Sequence, residues 1–212
     1  MRKLRRLKAY HNLKHHYKKV SDFLNEDSIL SWIANIALAF VLIKFIIYPF
    51  LGLIFATPYP IVAVVSGSME HHGSFDDWWE SPTLLNNGRS TQEEYYGKYG
   101  IDRNNFLMFP FSNGFNTGDI MVLRGADKEN IDVGDIIVFR AREGEPIIHR
   151  VIEKNINGES VTFRTKGDNN PMSYDFESEI PYESVIGKAI FRIPYLGYVK
   201  IWFFGLIDLI MG

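Results

Sequence analysis

The longest apolar run in the chain covers residues 29–48 and reads ILSWIANIALAFVLIKFIIY. As a helix with a rise of about 1.5 Å per residue, this run is about 30 Å long, which matches the hydrocarbon core of a bilayer. The run continues through Pro49, Leu51 and Ile54, so it predicts a retained transmembrane helix rather than a cleaved signal peptide. Lys44 is its one charged residue, and we expect the amine to extend toward the outer interface.

Beyond Gly118 the pattern changes to short β-branched runs that are separated by Gly, Asn and Asp. These runs cover residues 120–123, 136–140, 147–152 and 161–164. Short strands with such turn residues between them are typical of an antiparallel β domain. The sequence therefore predicts a membrane-anchored, mainly β protein with one transmembrane helix near its N-terminus.

Residues 70–116 show neither the period of a strand nor that of a helix. The segment is rich in Gly, Asn and aromatic residues, and it predicts a long inserted loop with local packing. The alternative for Trp78 and Trp79 is a position in the membrane interface. His71 and His72 with Asp76 and Asp77 could ligate a metal, but adjacent histidines project differently and no third ligand is suitably spaced. We therefore expect no metal.

Charge is distributed unevenly along the chain. Residues 1–20 contain eight Lys or Arg and no acid, whereas residues 57–212 contain fourteen Lys or Arg and twenty-two Asp or Glu. A nucleic-acid-binding arm can look similar, but positive charge just before a transmembrane helix favours a cytoplasmic N-terminus that attracts anionic lipid. We therefore expect no nucleic-acid partner. The chain has no cysteine, which excludes disulfides, cysteine metal sites and a thiol nucleophile.

These patterns predict four segments in a protein of the cell membrane. They are a basic cytoplasmic arm (1–27), a transmembrane anchor (28–56), an extracytoplasmic β domain (57–194) with the insertion at about 70–116, and an apolar tail (195–212). Lys200 and Asp208 in the tail would share one helical face, which favours an interfacial helix, and a second membrane pass is the alternative.

The sequence VVSGSME at residues 64–70 follows a strand-like run, about ten residues beyond the predicted anchor. Pro58 and Pro60 stop any helical continuation. A serine at such a transition from strand to turn can expose its hydroxyl, close to the membrane surface. By itself, however, Ser-Gly-Ser is also common in ordinary polar turns.

Two later segments carry more specific patterns. One is GDIIVF at residues 134–139, followed by IIHRV at residues 147–151, and the other is TKGDNNP at residues 165–171, followed by Asp175. In this order, on a chain with one anchor, they resemble type I signal peptidases of the archaeal and endoplasmic-reticulum branch. The resemblance covers roughly residues 61–70 and 117–200.

The resemblance implies a role for three residues. Ser68, directly before Met, would be the nucleophile, and its own backbone N–H with the Ser66 hydroxyl would stabilise the oxyanion. His149 would be the general base, at the position where bacterial relatives carry lysine. Without the resemblance, a lone histidine in an apolar strand is more often structural. No cofactor is implied.

Two acids compete for the role of orienting His149. Asp168 matches the Gly-Asp-Asn-Asn motif of the family, and Asp175 matches a second acid that follows it. We take Asp175 as the third member of the triad and Asp168 as structural or electrostatic support, with the reverse order left open. The second acid is one residue farther from the first than in relatives, and His71 stands where relatives commonly carry proline.

The resulting hypothesis is a membrane-bound serine endopeptidase that removes N-terminal signal peptides from exported preproteins at the outer membrane face. By resemblance it would prefer small residues at the first and third positions before the cut, with the substrate extended along the sheet edge. The expected partners are signal peptides and the bilayer, with the protein translocation machinery as a further candidate. The alternatives are a peptidase of the same fold with one dedicated substrate, and a catalytically silent membrane module that recruits partners.

Overall fold

The computed structural model describes residues 14–86, 88–141, 146–198 and 202. Residues 1–13 of the basic arm and most of the tail at 195–212 lie outside these residues, so the predictions for both segments remain predictions. The chain forms two compact units that divide between Leu51 and Gly52.

The N-terminal unit is helical. Helix α1 covers residues 14–24 and α2 covers Ile29–Leu42. Ser28 caps α2, because its hydroxyl accepts the N–H of Ser31 at 3.2 Å. The Ser31 hydroxyl donates to the Leu24 carbonyl at 2.9 Å, which links the two helices across the turn.

Helix α2 continues through a π-helical turn, Ile43–Ile47, into α3, Tyr48–Phe55. Pro49 has no N–H to donate four residues back, and the wider turn that precedes it accommodates the ring. Within that turn the N–H of Tyr48 donates to the carbonyl of Ile43, five residues earlier. The continuous helix, Ile29–Phe55, is 27 residues long, and its composition and length suffice to cross a membrane.

The second unit contains nine strands among the described residues. The strands are β1 (Ile61–Ala63), β2 (Pro82–Leu85), β3 (Gly88–Thr91), β4 (Ile120–Arg124), β5 (Ile136–Phe139), β6 (Ile147–Asn157), β7 (Ser160–Lys166), β8 (Ile180–Pro181) and β9 (Val185–Ile193). Seven form one sheet in the order β1-β4-β9-β5-β6-β7-β8, and β2 pairs with β3 separately. All pairings are antiparallel, which confirms the predicted mainly β fold.

Both faces of the central strands are buried. Ile136 and Val138 of β5 belong to one apolar cluster, whereas Ile137 and Phe139 belong to another on the opposite face. Alternation has the same effect in β6, so that neighbouring residues His149 and Arg150 project to opposite sides of the sheet. Each of these polar side chains must therefore find its own buried partners.

The insertion is more ordered than the predicted loop. It contains α4 (Phe75–Trp79), the β2–β3 hairpin, α5 (Gln92–Gly97) and α6 (Arg103–Leu107). Capping boxes start α4 and α5, in which Ser74 pairs with Asp77 and Thr91 with Glu94. An aromatic cluster fills its interior, and its buried members are Trp78, Trp79, Tyr95, Tyr96 and Phe106. The two indole rings are packed inside the protein rather than free for an interface.

Candidate active site

Ser68 lies in a turn that follows β1. The chain before it is fixed by Val64, whose N–H donates to the Asp119 carbonyl at 2.9 Å and whose carbonyl accepts the Gly118 N–H at 2.9 Å. Behind Ser68, the N–H of Glu70 donates to the Gly67 carbonyl at 3.2 Å and closes the turn. The Ser68 side chain is half-buried.

Asn169 holds the other side of this turn. Its backbone N–H donates to the Ser68 carbonyl at 2.8 Å, and its side-chain amide donates to the Gly67 carbonyl at 3.0 Å. The Gly-Asp-Asn-Asn segment therefore contacts the backbone on which the proposed nucleophile is mounted.

The structure brings Ser68 and His149 together, although they are 81 positions apart. The distance from Ser68 Oγ to His149 Nε2 is 3.0 Å. This separation lies within the range expected for a nucleophile and its base. The His149 side chain is only 7% exposed, so most of the ring is packed inside the protein.

Glu177 lies on the other side of this imidazole. Its Oε1 is 2.5 Å from His149 Nδ1 and also accepts the Thr165 hydroxyl at 2.9 Å. Its Oε2 accepts the backbone N–H of Tyr174 at 3.2 Å. The carboxylate is fully buried, and donors from three residues fix its position. An acid, an imidazole and a hydroxyl thus form one continuous chain of hydrogen bonds.

The predicted contact between His149 and Asp175 is wrong. Asp175 is exposed, and within the described ranges its carboxylate makes no hydrogen bond or ion pair. It begins the 3₁₀ turn Asp175–Glu177, and residues two apart in such a turn project in different directions. Sequence reasoning missed Glu177. The available signal was the Tyr-x-x-Glu spacing, in which the glutamate returns to the N–H at the start of the turn.

The reverse order, in which Asp168 orients His149, is wrong as well. The Asp168 carboxylate is fully buried on the other side of the sheet, where it pairs with Arg150 at 2.7 Å. It also accepts the Tyr96 hydroxyl at 2.9 Å and contacts His71 Nε2 at 3.0 Å. Asp168 is therefore the centre of a second polar cluster, beside the one that contains Ser68.

Charge is balanced within this second cluster. Burial alone would raise the pKa of Asp168, but the Arg150 guanidinium and the hydrogen bonds from His71 and Arg150 hold it well below its usual range. Arg150 also donates to the carbonyls of Pro110, Gly134 and Phe111, each at 2.9 Å. A fully buried ion pair is stable only when its remaining donors and acceptors are satisfied, as they are here.

Lys166 is a fully buried lysine next to the same cluster. Its amine donates to Gln92 Oε1 at 2.9 Å and to the carbonyls of Gly167 and Asp168 at 3.0 and 3.2 Å. Burial lowers the pKa of Lys166 to about 7, although the charges of Asp168 and Glu177 act in the opposite direction. Lys166 joins the insertion to the end of β7.

The predicted oxyanion donors lie next to each other. Ser66 Oγ is 3.2 Å from Ser68 Oγ, and Ser66 is exposed. In the part of the chain that the structure describes, the backbone N–H of Ser68 donates to no acceptor. Their role as oxyanion donors remains a prediction.

The side chains considered for metal binding have separate partners. His71 contacts Asp168, Asp77 caps α4 and Asp76 pairs with Arg103 at 2.5 Å. They do not converge on one point.

Three curated relatives of this chain are catalytic subunits of the signal peptidase complex. The signal peptidase complex catalytic subunit SEC11 of Fusarium vanettenii is 34% identical over 96 residues, which are 41% of this chain and 55% of that protein. SEC11C of Homo sapiens is 34% identical over 95 residues, or 41% of this chain and 49% of that protein. The SEC11 protein of Colletotrichum graminicola is 26% identical over 189 residues, or 86% of this chain and 85% of that protein.

In the alignments at 34% identity, the chain spans about half the length of the curated relatives that it matches. No family model matches the chain. The similarity to SEC11 extends over most of both sequences at the lower identity. The chain is a homologue of signal peptidase complex catalytic subunits, which confirms its predicted resemblance to the archaeal and endoplasmic-reticulum branch of the type I signal peptidases.

Proposed function

We propose that this chain is a serine endopeptidase that removes signal peptides from preproteins. The observation that carries the proposal is the hydrogen-bonded series from Ser68 through His149 to Glu177, with distances of 3.0 and 2.5 Å. The homology to SEC11 catalytic subunits supports the choice of signal peptides as substrates.

In this mechanism His149 Nε2 accepts the Ser68 proton as Oγ attacks the scissile carbonyl carbon. Glu177 accepts a hydrogen bond from Nδ1–H, fixes the tautomer and stabilises the imidazolium that forms. The Ser68 N–H and the Ser66 hydroxyl donate to the carbonyl oxygen as it gains negative charge. His149 then protonates the leaving amine, and a water molecule activated by the same base hydrolyses the acyl-enzyme.

The substrate would lie extended beside β1, which is an edge strand whose chain continues to Ser66 and Ser68. By resemblance, small residues are expected at the first and third positions before the cut. We further propose that Ile29–Phe55 anchors the protein in the cell membrane with its basic N-terminus in the cytoplasm, which puts catalysis at the outer face. A preprotein would then be cut on the side of the membrane to which it is exported.

The test is cleavage of a preprotein by the full chain in detergent or liposomes. Ser68→Ala and His149→Ala should abolish cleavage, whereas Ser160→Ala and His15→Ala, at exposed positions, should retain it. The thermal unfolding midpoint of each variant shows whether the fold is kept. Turnover by Ser68→Ala at the wild-type rate would refute the proposal.

Two alternatives are separated by the same assay. Cleavage of several unrelated preproteins supports a general signal peptidase, and cleavage of only one supports a dedicated peptidase. A catalytically silent membrane module predicts no cleavage by the wild-type chain and no reaction of Ser68 with an activity-based serine label.

A further inference from the structure

His71 is held in one orientation directly behind the nucleophile turn. Its ring stacks on Trp78, with centroids 3.7 Å apart and planes inclined by 6°. On the other side, Gly114 approaches so closely that an added Cβ would lie 2.7 Å from the His71 ring. The side chain is 3% exposed. The ring is therefore clamped between Trp78 and the turn at Gly114.

One nitrogen of this ring has a hydrogen-bond partner among the described residues, and the other has none. Nε2 lies 3.0 Å from Oδ2 of Asp168, and because the pKa of Asp168 is held well below its usual range, that carboxylate accepts and Nε2–H donates. Nδ1 is buried and has no hydrogen-bond partner among the described residues. A proton on Nδ1 would be left unpaired, so the clamp selects the tautomer that donates to Asp168.

Asp168 connects His71 to the turn that carries Ser68. Its backbone N–H contacts the sulfur of Met69 at 3.3 Å, and the next residue, Asn169, donates to the carbonyls of Ser68 and Gly67. On its other side is Gly167, where an added Cβ would lie 2.8 Å from His149 Nε2. A shift of Asp168 would therefore move both Ser68 and the surface against which His149 rests.

We propose that His71 is a positioning residue that sets the separation of Ser68 and His149 by donating to Asp168. Through His71, the insertion determines the geometry of the site and does more than cover the sheet. Tyr96 and Arg150 also bind the Asp168 carboxylate, but both are fully buried with packing roles of their own. His71 differs from them in its place on the chain, three residues after Ser68.

The test compares His71→Phe with His71→Gln in the full chain. Phenylalanine keeps an aromatic ring on Trp78 without a donor, whereas glutamine loses the ring but can place an amide N–H near Asp168. This part of the inference rests on the proposed function: kcat for preprotein cleavage should fall about 10- to 100-fold in His71→Phe. KM should stay within about twofold, and His71→Gln should recover most of kcat.

A second measurement does not need activity. Amide hydrogen exchange of residues 167–170 should be faster in His71→Phe than in wild type, while exchange in β5 and β6 stays the same. Trp79→Phe is the matched control, because Trp79 packs in the same aromatic cluster but its Nε1 makes no hydrogen bond among the described residues. It should lower the unfolding midpoint without changing kcat or the exchange of residues 167–170.

Unchanged kcat and unchanged exchange in His71→Phe would overturn the inference. An equal loss of kcat in Trp79→Phe would also overturn it, since general loosening of the insertion would then explain both. If the wild-type chain cleaves no preprotein, the proposed activity is refuted. Faster exchange at residues 167–170 in His71→Phe would still support the positioning role in that case.

Discussion

His149 Nδ1 lies 2.5 Å from Glu177 Oε1, so a buried glutamate, rather than either predicted aspartate, contacts the imidazole. The glutamate comes two residues after Asp175, at the end of a 3₁₀ turn. Its longer side chain reaches the histidine from a backbone position that is farther along the chain. The acid has thus changed in both position and type from the pattern that the resemblance implies.

Substitutions at Glu177 and Asp175 should distinguish the roles of the two acids. In Glu177→Gln the amide can present an N–H to Nδ1, favour the wrong tautomer and lower kcat by about 10²- to 10⁴-fold. Asp175→Asn, in the same turn but exposed, should change kcat by less than about twofold. Preprotein cleavage under saturating substrate measures both. A large loss in Asp175→Asn with an active Glu177→Gln would contradict the assignment.

Gly167 leaves space that the imidazole needs. An added Cβ would lie 2.8 Å from His149 Nε2 and 2.6 Å from Asn170 Nδ2, so Gly167→Ala should displace the base and lower kcat by about 10²-fold. Gly97→Ala is the matched control, because nothing lies within 4 Å of its added Cβ. Equal turnover by the two variants would show that the imidazole has room to move.

The buried ion pair between Asp168 and Arg150 should contribute to the stability of the fold. Asp168→Asn leaves a buried guanidinium without its counter-charge, and the free energy of unfolding should fall by about 3–5 kcal/mol. Asp76→Asn breaks an exposed pair with Arg103, which should cost less than about 1 kcal/mol. Denaturant unfolding measures the difference, and similar losses in both variants would contradict the buried role.

The burial of the Lys166 amine predicts a specific pH dependence of the free energy of unfolding. Because burial lowers the pKa of folded Lys166 to about 7, the unfolded chain, with a lysine pKa of about 10.4, binds one more proton between these values. The wild type should therefore gain stability relative to Lys166→Met as pH rises from 7 toward 10, by at most about 1.4 kcal/mol per unit. Below pH 7 the difference between the two proteins should be constant.

Unfolding midpoints of both proteins at several pH values provide the test. Comparison with the variant cancels groups that titrate in both chains. A difference that does not vary between pH 7 and 10 would mean that the buried amine keeps its proton, held by its three oxygen acceptors.

Apolar patterning was sufficient to predict the β sheet and the N-terminal helix. It failed in the insertion, because helices of five or six residues are too short to show a period of 3.6. The capping boxes at Ser74 and Thr91 were the readable signals there. The pairing of Ser68 with His149 was predicted from the resemblance. The contact of Glu177 with His149 depends on which side chain of a single 3₁₀ turn points inward, and residue spacing alone does not determine that direction.

The adjacent placement of His149 and Arg150 on β6 has a consequence for how the sheet assembles. Residues 147–152 read IIHRVI, so a slip of one position would still offer apolar side chains to both sides. Apolar contacts hardly distinguish the two alignments, but a slip would separate His149 from Glu177 and Arg150 from Asp168. A mispaired sheet would thus carry an arginine where the proton acceptor belongs, and molecules that assemble wrongly would be inert proteases as well as unstable ones.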